Sequence, residues 1–104
     1  MSTRKGYIEL TILFQPEAGK WTAECLELGT AAYGDSLDEA VDAIEDAIEL
    51  HLNTLEDVGE CERFLRERNI KIHRVAPKPT TNVKVKNIPY GAFIHPEVRE
   101  IAGL

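Results

Sequence analysis

The sequence predicts an α+β fold in the order β-β-β-α-α-β: a three-stranded antiparallel meander, a long helix, a short helix and a fourth strand, followed by a C-terminal strand/helix tail. Three observations predict it. Tyr7 to Phe14 alternates with a period of two, Leu37 to Leu55 carries apolar residues at steps of three and four, and Gly or Pro punctuates the chain between such runs.

In the first strand Ile8, Leu10, Ile12 and Phe14 form one face, and Tyr7, Glu9, Thr11 and the out-of-pattern Leu13 form the other. Pro16 and Gly19 mark the segment from Gln15 to Lys20 as a hairpin loop, and Trp21 to Leu26 resumes in extended character. Gly29 breaks that run, Thr30 to Tyr33 supplies a third strand, and Gly34-Asp35 turns the chain.

The strongest local signal is the helix start Gly34-Asp35-Ser36-Leu37-Asp38-Glu39. Ser36 and Glu39 have the spacing of a capping box, in which each side chain satisfies a backbone N–H that the first turn leaves free. Leu37, Ala40, Val41, Ile44, Ala47, Ile48, His51, Leu52 and Leu55 then make one apolar stripe, opposite Asp38, Asp42, Glu45, Glu49 and Asn53. Gly59 stops this helix, Glu60 to Arg68 reads as a second helix anchored by Phe64 and Leu65, and Ile70, Ile72 and Val75 suggest the fourth strand. Residues 1–75 thus read as the domain and 76–82, with Pro77 and Pro79, as a linker. Residues 83–104 read as a tail in which Val83 and Val85 form a strand and Pro96 opens a short helix through Ile101.

A length of 104 residues suits one core, and 43% apolar with 29% charged residues is the composition of a folded globular chain. A net charge of -6 disfavours nucleic-acid binding through the overall field and favours a basic partner or simply solubility, of which solubility is the plainer reading from charge alone. No apolar run reaches the roughly 18 residues of a membrane helix, and no signal-peptide segment follows Met1, so the expected location is the cytoplasm. Cys25 and Cys61 are far apart in sequence and are expected as thiols.

Catalytic constellations are not legible. His51, His73 and His95 are scattered without metal-ligand spacing, and His51 reads as a hydrogen-bonded residue flanking the core. Glu9, Glu24, Glu27 and Asp35 are the carboxylates near the sheet. They read as outward strand positions and turn residues rather than as ligands of a two-metal nuclease. Nucleotide-binding and hydrolase motifs do not occur. The expectation is therefore no catalytic residue, no metal and no cofactor.

Trp21-Thr22-Ala23-Glu24-Cys25-Leu26-Glu27-Leu28-Gly29, followed by Tyr33-Gly34-Asp35-Ser36-Leu37-Asp38-Glu39-Ala40, resembles the HicB-like antitoxin family, and Ala47 to Leu52 is similar to that family's helix end. The resemblance covers Gly6 to about Val75. It departs at Leu28-Gly29-Thr30, where many members have Leu-Pro-Gly-Cys. The resemblance implies a partial RNase H-like fold without the nuclease carboxylates, and a toxin-antitoxin role in which the chain binds and neutralises a small basic HicA-type mRNA-cleaving toxin. Many members add a DNA-binding module, for which residues 83–104 are too short. A free-standing oligomeric protein-binding module is the second reading, and a metal-dependent nuclease the third.

Self-association, at least to a homodimer, is expected through the free face or edge of the sheet together with the tail. Tyr7, Leu13, Trp21 and Tyr33 are the candidates on the sheet face, and Phe93, Ile94, Val98, Ile101 and Leu104 of the tail are too few to form a core alone, so the tail docks on its own domain or on a neighbouring subunit.

Overall fold

The computed structural model describes residues 4–79, 88–102 and 104. Its elements run β1 (Gly6–Glu17), β2 (Lys20–Cys25), β3 (Thr30–Gly34), α1 (Leu37–Asp57), α2 (Cys61–Glu67) and β4 (Phe93–Ile101). The architecture is α+β in the predicted order, and the sheet is antiparallel with strand order β3-β2-β1-β4.

Alternation along β1 decides the layering. Ile8, Leu10 and Ile12 are fully buried and Phe14 nearly so, packed with Ala23 and Cys25 of β2 against Ile44, Ile48 and Leu52 of α1. Cys61 and Leu65 extend this core under α2. Both helices end in the same way. After α1, Gly59 at φ +72° lets its own N–H reach the Glu56 carbonyl and the Glu60 N–H reach Leu55, a Schellman cap. After α2, Asn69 takes that conformation at φ 58°, and the Asn69 and Ile70 N–H groups donate to Arg66 and Leu65.

Three elements differ from the sequence reading. Pro16 lies inside β1, paired with Trp21, and the hairpin shrinks to Ala18-Gly19, both at positive φ. Proline fits there because β4 stops at Phe93, opposite Phe14, so the nitrogen of Pro16 has no strand beside it to supply. Next, Ile70 to Val75 does not form a strand. It contributes one bridge, in which Tyr7 and His73 exchange N–H to carbonyl bonds of 2.8 Å in each direction, and Ile72 packs under Gly6.

The fourth strand instead comes from the tail. Phe93–Ile101 pairs with β1 from Gly6 to Phe14, so the helix expected at Pro96 is a strand. Pro96 is compatible with a strand because the edge is free. The N–H and C=O of Thr11 are engaged on the β2 side, by Glu27 and the Leu26 N–H, which makes Thr11 and Pro96 a pair without mutual hydrogen bonds and points the Pro96 nitrogen outward. The strand expected at Val83 and Val85 falls outside the described residues.

Candidate functional site

The helix-start residues form a cap. Ser36 is the N-cap, and its Oγ accepts from the Glu39 N–H at 3.2 Å. The Glu39 carboxylate reaches back to accept from the Asp35 N–H at 2.8 Å. Gly34 is buried where β3 meets α1, and a Cβ there would stand 2.5 Å from the Ala40 nitrogen, so only glycine admits the approach.

The sheet carboxylates do not converge. Glu27 accepts from the Thr11 N–H at 2.6 Å and the Thr11 hydroxyl at 2.8 Å, which caps β1 where β2 peels away. Glu9 lies 3.8 Å from His73 Nε2, Asp35 lies 3.8 Å from Lys20 Nζ at the hairpin end, and Glu24 is exposed. Among the described residues no three His, Cys, Asp or Glu side chains gather in the manner of a metal site. His51 lies in the α1 stripe with Nδ1 3.0 Å from the Thr30 hydroxyl and its ring edge-on to Phe64. Cys25 and Cys61 are buried free thiols. Burial pushes the Cys25 thiol up to about 12, opposite to the lowering that an activated nucleophile needs. Among the described residues no helix is long and apolar enough to cross a membrane.

Two surfaces remain. The first is the sheet face away from the helices, which register assigns to Tyr7, Leu13, Tyr33, Ile94 and Val98, with Pro96 between the last two. Leu13 stands opposite Ile94, and all but the 68%-exposed Tyr33 are half-buried. Trp21, expected on this face, and the tail residues Phe93 and Ile101, expected at the self-association surface, sit elsewhere. Trp21, Phe93 and Ile101 pair with Pro16, Phe14 and Gly6, and so lie on the helix side. There Phe93 stacks on Phe14 at 5.2 Å and meets Trp21 edge-on at 6.1 Å, while Ile101 is buried in the core. Phase explains the difference, since Trp21 stands opposite Pro16 of the inward-facing set of β1, and Ile101 follows strand rather than helical periodicity.

The second surface is the outer side of α1. Asp38, Asp42, Asp46 and Glu49 are exposed, have no Lys or Arg within ion-pair distance among the described residues, and follow one another along the helix beside Leu50, itself 70% exposed.

Sequence reasoning missed a third cluster. Glu97 and Arg99 of β4 point to the helix side, where Arg99 pairs with the Glu45 carboxylate of α1 and lies 3.6 Å from Glu97. One Glu97 oxygen is buried without a hydrogen-bond donor. Burial first, and then the neighbouring Glu45, push the Glu97 carboxyl up to about 7, while Arg99 acts in the other direction. The signal that could have found it is the alternation of Phe93, His95, Glu97, Arg99 and Ile101, which Pro96 concealed.

Comparison of the chain with protein-family models, with curated proteins and with solved structures finds no match.

Proposed function

We propose that this chain is a binding protein of the HicB-like antitoxin type, acting in the cytoplasm by holding a small basic protein rather than by turning over a substrate. The observation that carries this reading is the outer side of α1. Asp38, Asp42, Asp46 and Glu49 stand exposed and uncompensated by any described cation, next to the exposed apolar Leu50. Such a surface complements an Arg- or Lys-rich partner in sign, which speeds encounter, and Leu50 offers apolar contact once docked. The segments that carry the family resemblance form β2, β3 and the capped start of α1, so they build the frame that presents this helix. The sheet carboxylates, occupied one by one as caps and ion pairs, suit a scaffold better than a metal-dependent nuclease.

The reading requires a small basic protein encoded beside the gene, and co-expression with it is the test. The two should co-purify, and the chain should relieve any growth arrest that the partner causes. Asp42→Lys with Asp46→Lys should weaken the complex by at least about tenfold while leaving the fold intact, because both side chains are exposed. A complex indifferent to that double change would move the interface off α1, and no complex with a basic neighbour would remove the antitoxin reading.

A further inference from the structure

The two edges of the sheet are not alike. At β4 the outward Pro96 nitrogen interrupts the ladder, whereas β3 reads Thr30-Ala31-Ala32-Tyr33-Gly34, without proline and without charge. The Leu26 N–H donates to the Thr11 carbonyl, which turns the backbone groups of Thr22 and Glu24 toward β1 and those of Trp21, Ala23 and Cys25 toward β3. Gly34, Ala32 and Thr30 answer them, so the N–H and C=O groups of Ala31 and Tyr33 point off the sheet. Among the described residues no strand lies beyond β3 to receive them.

Helix α1 makes a wall beside this edge. The His51–Thr30 contact holds the helix over β3, while Glu45, paired with Arg99, and Glu56, which accepts from the Ala102 N–H, mark its opposite flank toward β4. With about 100° between successive residues, the flank toward the β3 edge then carries Ala43, Ala47 and Leu50. The two alanines are half-buried and Leu50 is exposed, so an uncharged shelf runs along the free edge. Acid borders it on both sides. Asp46 lies one turn from Ala43 and from Leu50 on the helix surface, and Glu24 stands opposite Ala31 on the outer face of the sheet. Both are exposed and have no Lys or Arg within ion-pair distance among the described residues.

We propose that the β3 edge takes up an extended, lysine- or arginine-bearing segment of a partner protein as an added strand. The inference rests on the reading of α1 as the docking helix and adds a backbone ladder beside it. Ala31 and Tyr33 supply the donors and acceptors of that ladder. Apolar side chains on one side of the incoming strand meet Ala43, Ala47 and Leu50, and a lysine on its other side reaches over the short Ala31 to Glu24. A second copy of this chain is the poorer occupant. Two-fold pairing of β3 with β3 would set the two α1 helices side by side and bring Asp42 and Asp46 toward like charges, whereas a basic segment meets the same acids with opposite sign.

Titration of the full chain, followed by NMR, with a peptide of about ten residues alternating lysine and valine tests the edge. Saturable binding is expected, with the Ala31 and Tyr33 amide protons exchanging at least about tenfold more slowly in the complex than in the free chain. A copy of the peptide N-methylated at two adjacent central residues keeps its charges but loses a donor on each side, and should bind at least about tenfold more weakly. Ala31→Pro removes an outward N–H that the β2 ladder does not use and should have the same effect, while Ala31→Val retains that N–H and should bind as the native chain does. Equal binding of the two peptides, unslowed exchange at Ala31 and Tyr33, or no saturable binding overturns the proposal. Those comparisons use the native chain, so the result does not depend on how Ala31→Pro folds. A basic neighbour held through Asp42 and Asp46 while the peptide fails leaves the α1 reading standing and removes the edge. Edge binding of the peptide without any such neighbour does the reverse.

Discussion

Ser36, the N-cap of α1, and Ile44, about two turns into the helix, contribute by different physics. The Ser36 hydroxyl satisfies one backbone donor at an exposed helix end, so Ser36→Ala should cost about 1 kcal/mol. Ile44 has no exposed surface and lies within the core cluster, so Ile44→Ala removes buried methyl groups and leaves a cavity, at about 2 to 5 kcal/mol. Urea denaturation of the two variants gives the ranking, and a larger loss for Ser36→Ala would mean that the inner stripe of α1 is assigned wrongly. Gly34→Ala belongs with the severe changes, because its Cβ would meet backbone and not a flexible side chain. These residues were legible in the sequence because caps and stripes are local, needing only the spacing of Ser36 from Glu39 and of Ala40 from Ile44, Ile48 and Leu52.

The element that sequence reasoning placed wrongly is β4, and the reason is also physical. Pro96 is compatible with the first turn of a helix and with an edge strand whose nitrogen faces out, and the choice between them is made by β1, some eighty residues earlier in the chain. Ile70 and Ile72 raised the opposite error, since they alternate as a strand does but meet only one residue of β1 before the chain leaves. With β4 misread, the Glu45–Glu97–Arg99 cluster could not be assembled. That cluster makes the attachment of β4 to α1 sensitive to pH. Folding raises the Glu97 carboxyl from an ordinary 4.5 to about 7, so between those values the folded chain holds a proton that the unfolded chain releases. Stability from this group is fully present below about 4.5 and is lost as pH rises through about 7. Glu97→Gln should flatten the decline, so that thermal melts of variant and native protein differ most above pH 7 with the variant the more stable. A native melting temperature that does not fall between pH 5 and 8 more than that of the variant would show that Glu97 does not titrate in this range.

For the whole molecule, two helices cover one side of a four-stranded sheet and leave the other to water or to a partner. We propose that a second copy of the chain takes that side. Its centre holds Leu13 against Ile94 with Pro96 and Val98 beside them, bordered by Glu9 opposite Val98 and by the exposed Glu24 opposite Leu13. At its margins Glu100 is matched with Lys5 and Lys20 with Asp35, and although Glu17 and Glu24 are exposed there, two copies of net charge -6 meeting on this face keep their anionic helices apart. Pairing edge to edge along β4 is disfavoured, because the outward Pro96 nitrogen breaks the ladder at its middle. Association should therefore be face to face, leaving α1 and its acidic stripe free. Light scattering should give twice the chain mass for the native protein and the single mass for Leu13→Glu or Ile94→Glu, each of which sets a carboxylate at the centre of the face. Deleting residues beyond Val75 is a poorer test, since it also strips β4 from β1 and opens the core at Ile101. A native chain that scatters as a monomer at every concentration would sink the face as an interface, and a dimer untouched by both substitutions would place the contact on another surface.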